Sequence, residues 1–331
     1  MAAIFLSNGR EFIAEPGIAL LDAATSAHIP IPYSCRTGRC NTCKARVVKG
    51  QTRTLASETG LSTAELEAGW ILTCVRAAET DVTLEVEDLQ GITLPQPQTL
   101  PCRISELLRL APDVLQVKLR LPPASNFSFI PGQYIDVIGP NQIRRSYSLA
   151  QADYSEKILE LHIRAVEGGT MSEYWFNQAK PNDLLRLYGP LGTFFLREYA
   201  NVDIFFLATG TGIAPIKAML ESIAKVPKEQ QPKSVTVLWG GREPQDFYFD
   251  VMRIHANQRF VPVLSRSTEG WRGARGYVQD VLLSSTADLS RAFVYACGSD
   301  RMIQSAKQSL CNAGLPVARF YSDAFVRSGS Q

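Results

Sequence analysis

Three cysteines stand within nine residues near the N-terminus, and a fourth follows about thirty residues later, a spacing seen among iron–sulfur ligands. They are Cys35, Cys40, Cys43 and Cys74. One loop with this C-x4-C-x2-C pattern can wrap two irons, while Gly38 and small polar neighbours leave backbone N–H groups free to point at the sulfurs. A zinc site or disulfides are the alternatives, but zinc motifs usually pair two C-x2-C units and this chain has a single one. The pattern therefore predicts a 2Fe–2S cluster, which carries single electrons.

Two segments in the middle of the chain have residue types that bind phosphate. Arg145 lies in an Arg-Ser-Tyr-Ser run, and its guanidinium can make two hydrogen bonds to a pyrophosphate. Further on, Gly168 and Gly169 precede Thr-Met-Ser, where a helix start can present free N–H groups to the same pyrophosphate. Tyr147 would then lie on the face of a flavin. Each segment alone is weak, since Gly-Gly is usually a turn and an Arg-x-Tyr-Ser strand is usually barrel surface, but together they predict flavin binding.

A glycine turn between a strand and a helix is typical of a dinucleotide site. The run Thr-Gly-Thr-Gly at 209–212 follows the apolar stretch 204–208 and precedes a helix with Pro215 in its first turn. Such a turn lets a pyrophosphate approach the backbone at the helix N-terminus. The run departs from the G-x-G-x-x-G fingerprint, so a turn used only for packing is the alternative.

A second strand end carries Cys297 and Gly298, after the apolar run 293–296 and a crossover. In an open α/β sheet the carboxyl ends of the strands around the switch point form the ligand crevice. Cys297 would lie there against a nicotinamide. The alternative is an apolar buried cysteine.

The elements that must position these residues suggest three domains within 331 residues. Residues 1–94 alternate short strands with one short helix. A proline-rich linker, 89–101, leads into residues 95–199, where several strand-like runs separated by Pro and Gly predict an antiparallel β-barrel. Residues 200–331 repeat strand then helix, which predicts a doubly wound parallel α/β sheet. The fold class is therefore multidomain α+β.

Composition narrows the class of partner and the location. The net charge of +2 argues against a nucleic-acid footprint, and no apolar run reaches the length of a membrane span. The first residues lack the basic leader and apolar stretch of a signal peptide. The cysteines outside the cluster motif are widely scattered, which suits a reducing compartment. We expect no nucleic-acid partner, no membrane association and a cytoplasmic protein.

The region around the cysteine loop, residues 23–57, contains cations and no acidic residue. The cations are Arg36, Arg39, Lys44, Arg46, Lys49 and Arg53. One hypothesis is that they dock a partner with an acidic face. The other is that they only offset the negative charge of the cluster.

The order of cluster, flavin barrel and pyridine-nucleotide domain resembles the ferredoxin–NADP reductase superfamily with a fused N-terminal plant-type 2Fe–2S ferredoxin. The resemblance covers nearly the whole chain and is greatest to the CDP-6-deoxy-3,4-glucoseen reductases (CDP-4-dehydro-6-deoxyglucose reductases), which reduce a dehydrase-bound sugar intermediate. The segments that carry it include Tyr33-Ser34-Cys35, Ile71-Leu72-Thr73-Cys74, Gly132-Gln133-Tyr134, Arg144-Arg145-Ser146-Tyr147-Ser148, Gly192-Thr193-Phe194-Phe195, Tyr295-Ala296-Cys297-Gly298 and Tyr321-Ser322-Asp323-Ala324-Phe325. It implies a β-grasp ferredoxin domain in residues 1–94.

The resemblance also implies roles for single residues. Those that would bind FAD are Arg145, Ser146, Tyr147, Ser148, His162, Gly168, Gly169, Met171, Ser172 and Phe325. Those that would bind the nicotinamide dinucleotide are Thr209, Gly210, Thr211, Gly212 and Gly298. The hydride-transfer position would be bordered by Ser148, Cys297 and Phe325. Asn41 departs from the family, since many such ferredoxins have glycine between the second and third cysteines, but asparagine tolerates a left-handed backbone.

The three groups together predict an electron relay. A hydride carries two electrons and the cluster accepts one, so a flavin must stand between them. We expect NADH as the donor, with NADPH as the alternative because Arg242, Ser265 and Arg266 follow neighbouring strands where some relatives hold a 2′-phosphate. The expected acceptor is a pyridoxamine-phosphate CDP-sugar dehydrase. The alternatives are the oxygenase component of a dioxygenase or monooxygenase, and a redox-sensing module that no longer turns over. A relay within one chain needs no second subunit, so we expect a monomer.

Overall fold

The computed structural model describes residues 1–325 apart from positions 88, 90, 198, 255–257, 267–269 and 286–287. Its contacts divide the chain into two compact units. The first contains Met1–Leu94, Gly192–Phe194 and the residues from Asp323 on, and the second contains Pro95–Leu191 and Phe195–Ser322. Within the described residues, we find no helix whose length and hydropathy would let it cross a membrane.

The first unit is built on a five-stranded mixed sheet. Along its first strand Ala2, Ile4 and Leu6 are buried while Phe5 is exposed, so one face of the strand meets the core. The elements are β1 (Ala2–Leu6), β2 (Glu11–Ala14), α1 (Leu20–Ser26), β3 (Lys44–Lys49), β4 (Thr52–Thr54), α2 (Thr63–Glu67), β5 (Trp70–Leu72), β6 (Arg76–Ala78) and β7 (Val82–Glu85). The sheet order is β2-β1-β7-β3-β5, and β4 pairs with β6 in a separate ribbon. The predicted β-grasp module is confirmed.

A six-stranded antiparallel barrel opens the second unit. Its elements are β8 (Gln98–Ala111), β9 (Val114–Arg120), β10 (Tyr134–Ile138), β11 (Arg144–Ser148), β12 (Ile158–Arg164), α3 (Thr170–Glu173), which continues as a π-helical turn to Gln178, and β13 (Leu184–Leu191). The strand order is β11-β10-β13-β8-β9-β12, and a bridge between Leu149 and Leu161 joins the two ends. Inward residues such as Ile135, Val137 and Leu187 fill the core. The predicted barrel is confirmed.

A parallel sheet completes the second unit. Its elements are β14 (Asp203–Thr209), α4 (Ile213–Lys225), β15 (Ser234–Gly241), β16 (Gln258–Leu264), β17 (Ala274–Arg275), α5 (Val278–Ser285), β18 (Phe293–Ser299), α6 (Asp300–Asn312) and β19 (Phe320–Phe325). The strand order is β17-β16-β15-β14-β18-β19, and the neighbours β14 and β18 are parallel. On one side of this pair the strands follow one another toward earlier positions in the sheet, and on the other side they run the opposite way, so the winding of the chain changes side between β14 and β18. This is the predicted doubly wound topology, and its switch point lies where the two glycine motifs of the sequence end their strands.

Candidate functional site

The four cysteines of the motif lie as two pairs. A hydrogen bond between the thiols of Cys35 and Cys40 lowers the pKa of Cys35 to about 5 and raises that of Cys40. A matching bond between Cys43 and Cys74 raises the pKa of Cys43 and lowers that of Cys74. A 2Fe–2S cluster would be held by four thiolates, and these two pairs of cysteines could supply them. Within the described residues, no group of three or more His, Cys, Asp or Glu side chains lies close enough together to hold a single metal ion.

The loop also directs hydrogen-bond donors at these sulfurs. The backbone N–H and the hydroxyl of Thr37 donate to Cys35 Sγ at 3.4 and 3.2 Å, and the N–H of Cys35 donates to Cys40 Sγ at 3.4 Å. Gly38 and Asn41 have φ angles of 73° and 63°, so the left-handed backbone expected for Asn41 is confirmed. Donors of this kind stabilise thiolates, and the loop therefore fits a 2Fe–2S cluster.

The residues just before Cys35 are tied to two distant segments of the same unit. The N–H of Tyr33 donates to Thr193 Oγ1 at 2.9 Å, and the N–H of Thr193 donates to the carbonyl of Tyr33 at 3.0 Å. The hydroxyl of Ser34 donates to Asp323, whose burial raises the pKa of its carboxyl to about 6. These bonds fix the entry to the cysteine loop.

Several of the cations around the loop have carboxylate partners. Arg36 pairs with Asp22, Lys44 Nζ lies 2.6 Å from Glu65 Oε1, and Arg46 lies 4.0 Å from Glu85 Oε2. Lys44 also lies over the ring of Trp70 at 4.1 Å. Much of the positive charge is therefore satisfied within the first unit, which weakens the docking hypothesis.

Strand β11 exposes one arginine and pairs another. Arg144 Nε lies 2.9 Å from Asp136 Oδ2, and the hydroxyl of Ser146 donates to Asp136 Oδ1 at 2.6 Å. Arg145 is exposed and donates to the carbonyl of Arg144 at 2.8 Å. Across the part of the chain that the structure describes, Arg145 has no carboxylate partner. Its guanidinium is therefore free to bind an anion such as a pyrophosphate.

Tyr147 packs against the barrel core, and its neighbour Ser148 is buried. The Tyr147 hydroxyl accepts the indole N–H of Trp175 at 3.0 Å, and the two rings meet edge to face at 6.2 Å. Burial raises the pKa of Tyr147 to about 12, so the phenol stays neutral. Ser148 is buried and lies opposite Tyr134 on β10. These contacts with Trp175 fix the orientation of the Tyr147 ring, which suits a residue that would stack on a planar ligand.

The glycine pair leads directly into α3. Gly168 has a φ of 68°, and Gly169 precedes the first helical residue. The hydroxyl of Ser172 accepts the N–H of Val166 at 2.9 Å, which closes the turn. Met171 is buried, and its sulfur lies 2.5 Å from where a Cβ on Gly139 would be. The backbone N–H groups of this turn can meet a phosphate, whereas the Met171 side chain belongs to the core.

His162 lies in a buried polar network between the barrel and α4. Its Nε2 is 2.9 Å from Glu160 Oε1 and its Nδ1 is 3.1 Å from the Tyr248 hydroxyl. Lys217 on α4 reaches the same Glu160 oxygen at 3.2 Å. Burial lowers the pKa of His162, so the ring is neutral. Both ring nitrogens are engaged, and contact with a flavin, which stays a prediction, would use the ring face or edge.

Two strand ends of the parallel sheet approach each other so closely that only glycine fits. A Cβ on Gly212 would lie 2.5 Å from the carbonyl carbon of Cys297 and 2.8 Å from the nitrogen of Gly298. Gly298 has a φ of 140°, and its Cβ would lie 2.9 Å from the carbonyl oxygen of Thr209. The hydroxyl of Thr209 accepts the N–H of Ser299 at 3.1 Å. The two motifs therefore form one backbone surface at the switch point.

The remaining predicted residues differ in exposure. The carbonyl of Gly210 accepts the indole N–H of Trp239 at 3.0 Å, and Thr211 is buried in the middle of the same turn. Cys297 is completely buried, backbone and side chain alike, behind the glycine turn that its carbonyl contacts. Phe325 belongs to the first unit and is 39% exposed.

Sequence reasoning missed an arginine that links the barrel to the glycine turn. Arg164, at the end of β12, donates to Asp113 at 2.7 Å and pairs with Asp246 beyond β15. A Cβ on Gly210 would lie 2.7 Å from its Nη1. Asp246 also accepts the N–H of Arg242 at 2.7 Å. No local pattern marks Arg164, because its partners are brought together only by the fold.

Comparison with known families defines the class of protein. The 2Fe-2S iron-sulfur cluster binding domain matches residues 5–79, the oxidoreductase FAD-binding domain matches residues 101–196, and the oxidoreductase NAD-binding domain matches residues 206–308. The chain is an NAD(P)H-dependent iron–sulfur flavoprotein reductase that binds a 2Fe–2S cluster, FAD and NAD.

Individual relatives narrow the family. The chain is 39% identical to a CDP-6-deoxy-L-threo-D-glycero-4-hexulose-3-dehydrase reductase of Yersinia pestis, over 97% of each chain. It is 30% identical to the reductase component of the naphthalene 1,2-dioxygenase/salicylate 5-hydroxylase systems of a Ralstonia species, over 96% of each chain. The crystal structure of an Amycolatopsis cytochrome P450 reductase is similar with a TM-score of 0.78 and 28% identity, covering 98% of this chain and 99% of that one. The chain belongs to the family of the CDP-hexulose dehydrase reductases, within the ferredoxin–NADP reductase superfamily.

Proposed function

We propose that this protein passes electrons from NADH through FAD and its 2Fe–2S cluster to the pyridoxamine-phosphate dehydrase of CDP-3,6-dideoxyhexose synthesis. The observation that carries the proposal is the 39% identity, over 97% of the chain, to a reductase named for a CDP-hexulose dehydrase. The relative from a dioxygenase system is 30% identical over a similar length. When bound, FAD accepts a hydride as an electron pair and releases single electrons, which the cluster carries.

The cofactor residues have distinct proposed roles. The cluster ligands are Cys35, Cys40, Cys43 and Cys74. The FAD residues are Arg145, Ser146, Tyr147, Ser148, His162, Gly168, Gly169, Met171, Ser172 and Phe325. The dinucleotide residues are Thr209, Gly210, Thr211, Gly212 and Gly298. Ser148, Cys297 and Phe325 border the hydride-transfer position in this proposal.

The pairing on β11 supports Arg145 as the pyrophosphate ligand. Asp136 holds the neighbouring Arg144, so the exposed guanidinium of Arg145 is the cation of this strand that can meet a phosphate. The buried indole of Trp175 orients Tyr147 beside it. The work of these side chains is binding and orientation, and no proton transfer is required of them.

We also propose domain limits, a cellular location and an oligomeric state. The ferredoxin domain spans 1–94, the FAD-binding barrel 95–199 and the nucleotide domain 200–331. The change of compact unit between Leu94 and Pro95 supports the first limit, and the family matches that end at 196 and begin at 206 support the second. We propose a cytoplasmic protein, since Cys102, Cys297 and Cys311, the cysteines outside the cluster motif, are free thiols, as in a reducing compartment. We propose a monomer because a relay within one chain needs no second subunit.

The test is NADH consumption by the purified, fully loaded protein in the presence of the dehydrase and CDP-4-dehydro-6-deoxyglucose. The proposal predicts oxidation that needs both the dehydrase and the sugar nucleotide. Reduction of an artificial dye by NADH is the control for the reductase itself. Dye reduction with no dehydrase-dependent oxidation would refute the assignment to this partner.

A second candidate is the reductase component of a ring-hydroxylating dioxygenase or multicomponent monooxygenase. The identity to the Ralstonia reductase component favours it. Substituting an oxygenase component and its aromatic substrate in the same assay separates the two. A redox-sensing module without turnover, the third alternative, predicts that NADH fails to reduce the flavin.

A further inference from the structure

A buried carboxylate lies in the first unit, in the segment between β4 and α2. The side chain of Glu58 is 3% exposed. Its Oε1 accepts the N–H of Leu72 at 2.7 Å, and its Oε2 accepts Nε and Nη2 of Arg76 at 2.9 and 2.7 Å. Arg76 also donates to Thr52 Oγ1 at 3.2 Å. The carboxylate is therefore fully engaged at a place where an unpaired charge would be costly.

The partners of Glu58 bracket the fourth cysteine. Leu72 ends β5 and Arg76 begins β6, and Cys74 lies in the single 3-10 turn between them. A three-residue turn has little hydrogen bonding of its own to hold its central side chain. One carboxylate thus holds both ends of the turn that carries Cys74.

The segment that carries Glu58 also packs against the loop with the other three cysteines. The N–H of Gly60 donates to the carbonyl of Gly38 at 2.9 Å. A Cβ on Gly60 would lie 2.7 Å from the carbonyl oxygen of Arg39, so this approach requires glycine. Glu58 therefore connects the turn of Cys74 to a segment in direct contact with the Cys35–Cys43 loop.

We propose that Glu58 is a positioning residue for the 2Fe–2S cluster. Through Leu72 and Arg76 it fixes the turn of Cys74 relative to the loop that carries the other ligands. Its charge is balanced by Arg76, so the pair contributes no net charge beside the cluster. Groups behind the ligands typically change metal affinity by about 10- to 100-fold, and cluster potentials respond to nearby charge and hydrogen bonds.

The experiment uses the full-length protein loaded with cluster and FAD, and compares Glu58→Ala, Glu58→Gln and the control Glu85→Gln. Glu85 is a 56% exposed carboxylate of the same unit, so its substitution removes the same charge without touching the Cys74 turn. In Glu58→Ala we expect the cluster to be lost to a chelator about 10- to 100-fold faster, with an altered visible circular dichroism spectrum. Glu58→Gln keeps an acceptor for Leu72, so its rate of cluster loss should lie between those of Glu58→Ala and the wild type.

The cluster potential separates a positioning role from general destabilisation. In Glu58→Gln the charge of Arg76 is uncompensated, which favours the reduced cluster and raises its potential. The double variant Glu58→Gln/Arg76→Gln has no net charge there, and its potential should return toward the wild-type value.

Two results would overturn the proposal. One is wild-type cluster loss and an unchanged spectrum in Glu58→Ala, and the other is an equal effect in Glu85→Gln. If Glu58→Ala fails to fold, Glu58→Gln decides, because an unchanged potential and loss rate in that variant would refute the role. These readouts need no acceptor protein, so their failure is distinct from failure of the dehydrase assay.

Discussion

The close approach of two strand ends makes Gly212 the sharpest test of the dinucleotide site. Gly212 has a φ of −59°, which alanine adopts without strain, so Gly212→Ala tests the close approach alone. The new Cβ would lie 2.5 Å from the carbonyl carbon of Cys297, whereas real Cβ contacts stay beyond 3.0 Å. The turn or the Cys297 strand end must therefore move by about 0.5 to 1 Å. A displacement near 1 Å can cost about 100-fold in rate, or about 2.7 kcal/mol.

The assay is anaerobic stopped-flow reduction of the bound flavin by NADH. In Gly212→Ala we expect the rate at subsaturating NADH to fall about 100-fold, with FAD and iron contents unchanged. Gly240→Ala is the matched control, because a Cβ there would lie 3.1 Å from side-chain carbons of Thr209 and Val278 and no nearer than 3.5 Å to the backbone. Its loss should stay below about tenfold. Flavin reduction in Gly212→Ala at the wild-type rate would refute the account of this turn.

Four further changes test other parts of the molecule. Cys74→Ser should abolish the cluster by iron and sulfide analysis while NADH still reduces the flavin; loss of flavin reduction as well would contradict separate sites. Arg145→Met should weaken FAD binding about 10- to 100-fold in a titration of the apoprotein. Arg144→Met should change FAD binding little, because the Arg144 guanidinium is held by Asp136. Equal effects of the two substitutions would argue against Arg145 as the phosphate ligand. Asp246→Asn should lower the free energy of unfolding by about 1 kcal/mol, because its partner, the Arg164 guanidinium, is part-exposed and screened. It should also slow flavin reduction by NADH if the Arg164–Asp246 pair orients the glycine turn through the contact of Arg164 with Gly210. A change in stability alone would reject that role of the pair. Burial holds the pKa of His162 below its usual 6.5, so near and below that pH the unfolded chain binds more protons than the folded chain. The thermal midpoint should therefore fall as the pH drops, and His162→Asn should flatten this part of the profile. An unchanged slope in the variant would contradict a neutral, buried His162.

Local patterns in the sequence were sufficient for the architecture and for the backbone of the cysteine loop. The cysteine spacing is an intrinsic property of one loop, and the left-handed backbone at Asn41 follows from its residue type. Strand and helix periods with Pro and Gly punctuation predicted the barrel and the parallel sheet. These features depend on neighbours in sequence, which is why they could be predicted.

Pairs that the fold brings together could not be predicted. Arg164 and Asp246 are distant in sequence and lie on different domains, and no period or motif marks either. Glu58 is an ordinary acidic residue in a loop until β5 and β6 place Leu72 and Arg76 around it. Buried charge of this kind is visible only from the packing of several elements.

A motif match also leaves the direction of a side chain undetermined. Met171 lies in the glycine-pair motif, but its side chain packs into the core beside Gly139. Cys297 ends a strand at the crevice, yet its thiol is completely buried. In both cases the motif predicted a position along the chain but not the burial of the residue that occupies it.

The most direct test of the relay is an anaerobic titration of the fully loaded protein with NADH, followed by optical and electron paramagnetic resonance spectroscopy. The account predicts uptake of two electrons at the flavin and one at the cluster, with a low-temperature signal from the reduced cluster that is absent in Cys74→Ser. Bleaching of the flavin with no cluster signal, from protein whose iron and sulfide contents are complete, would contradict it.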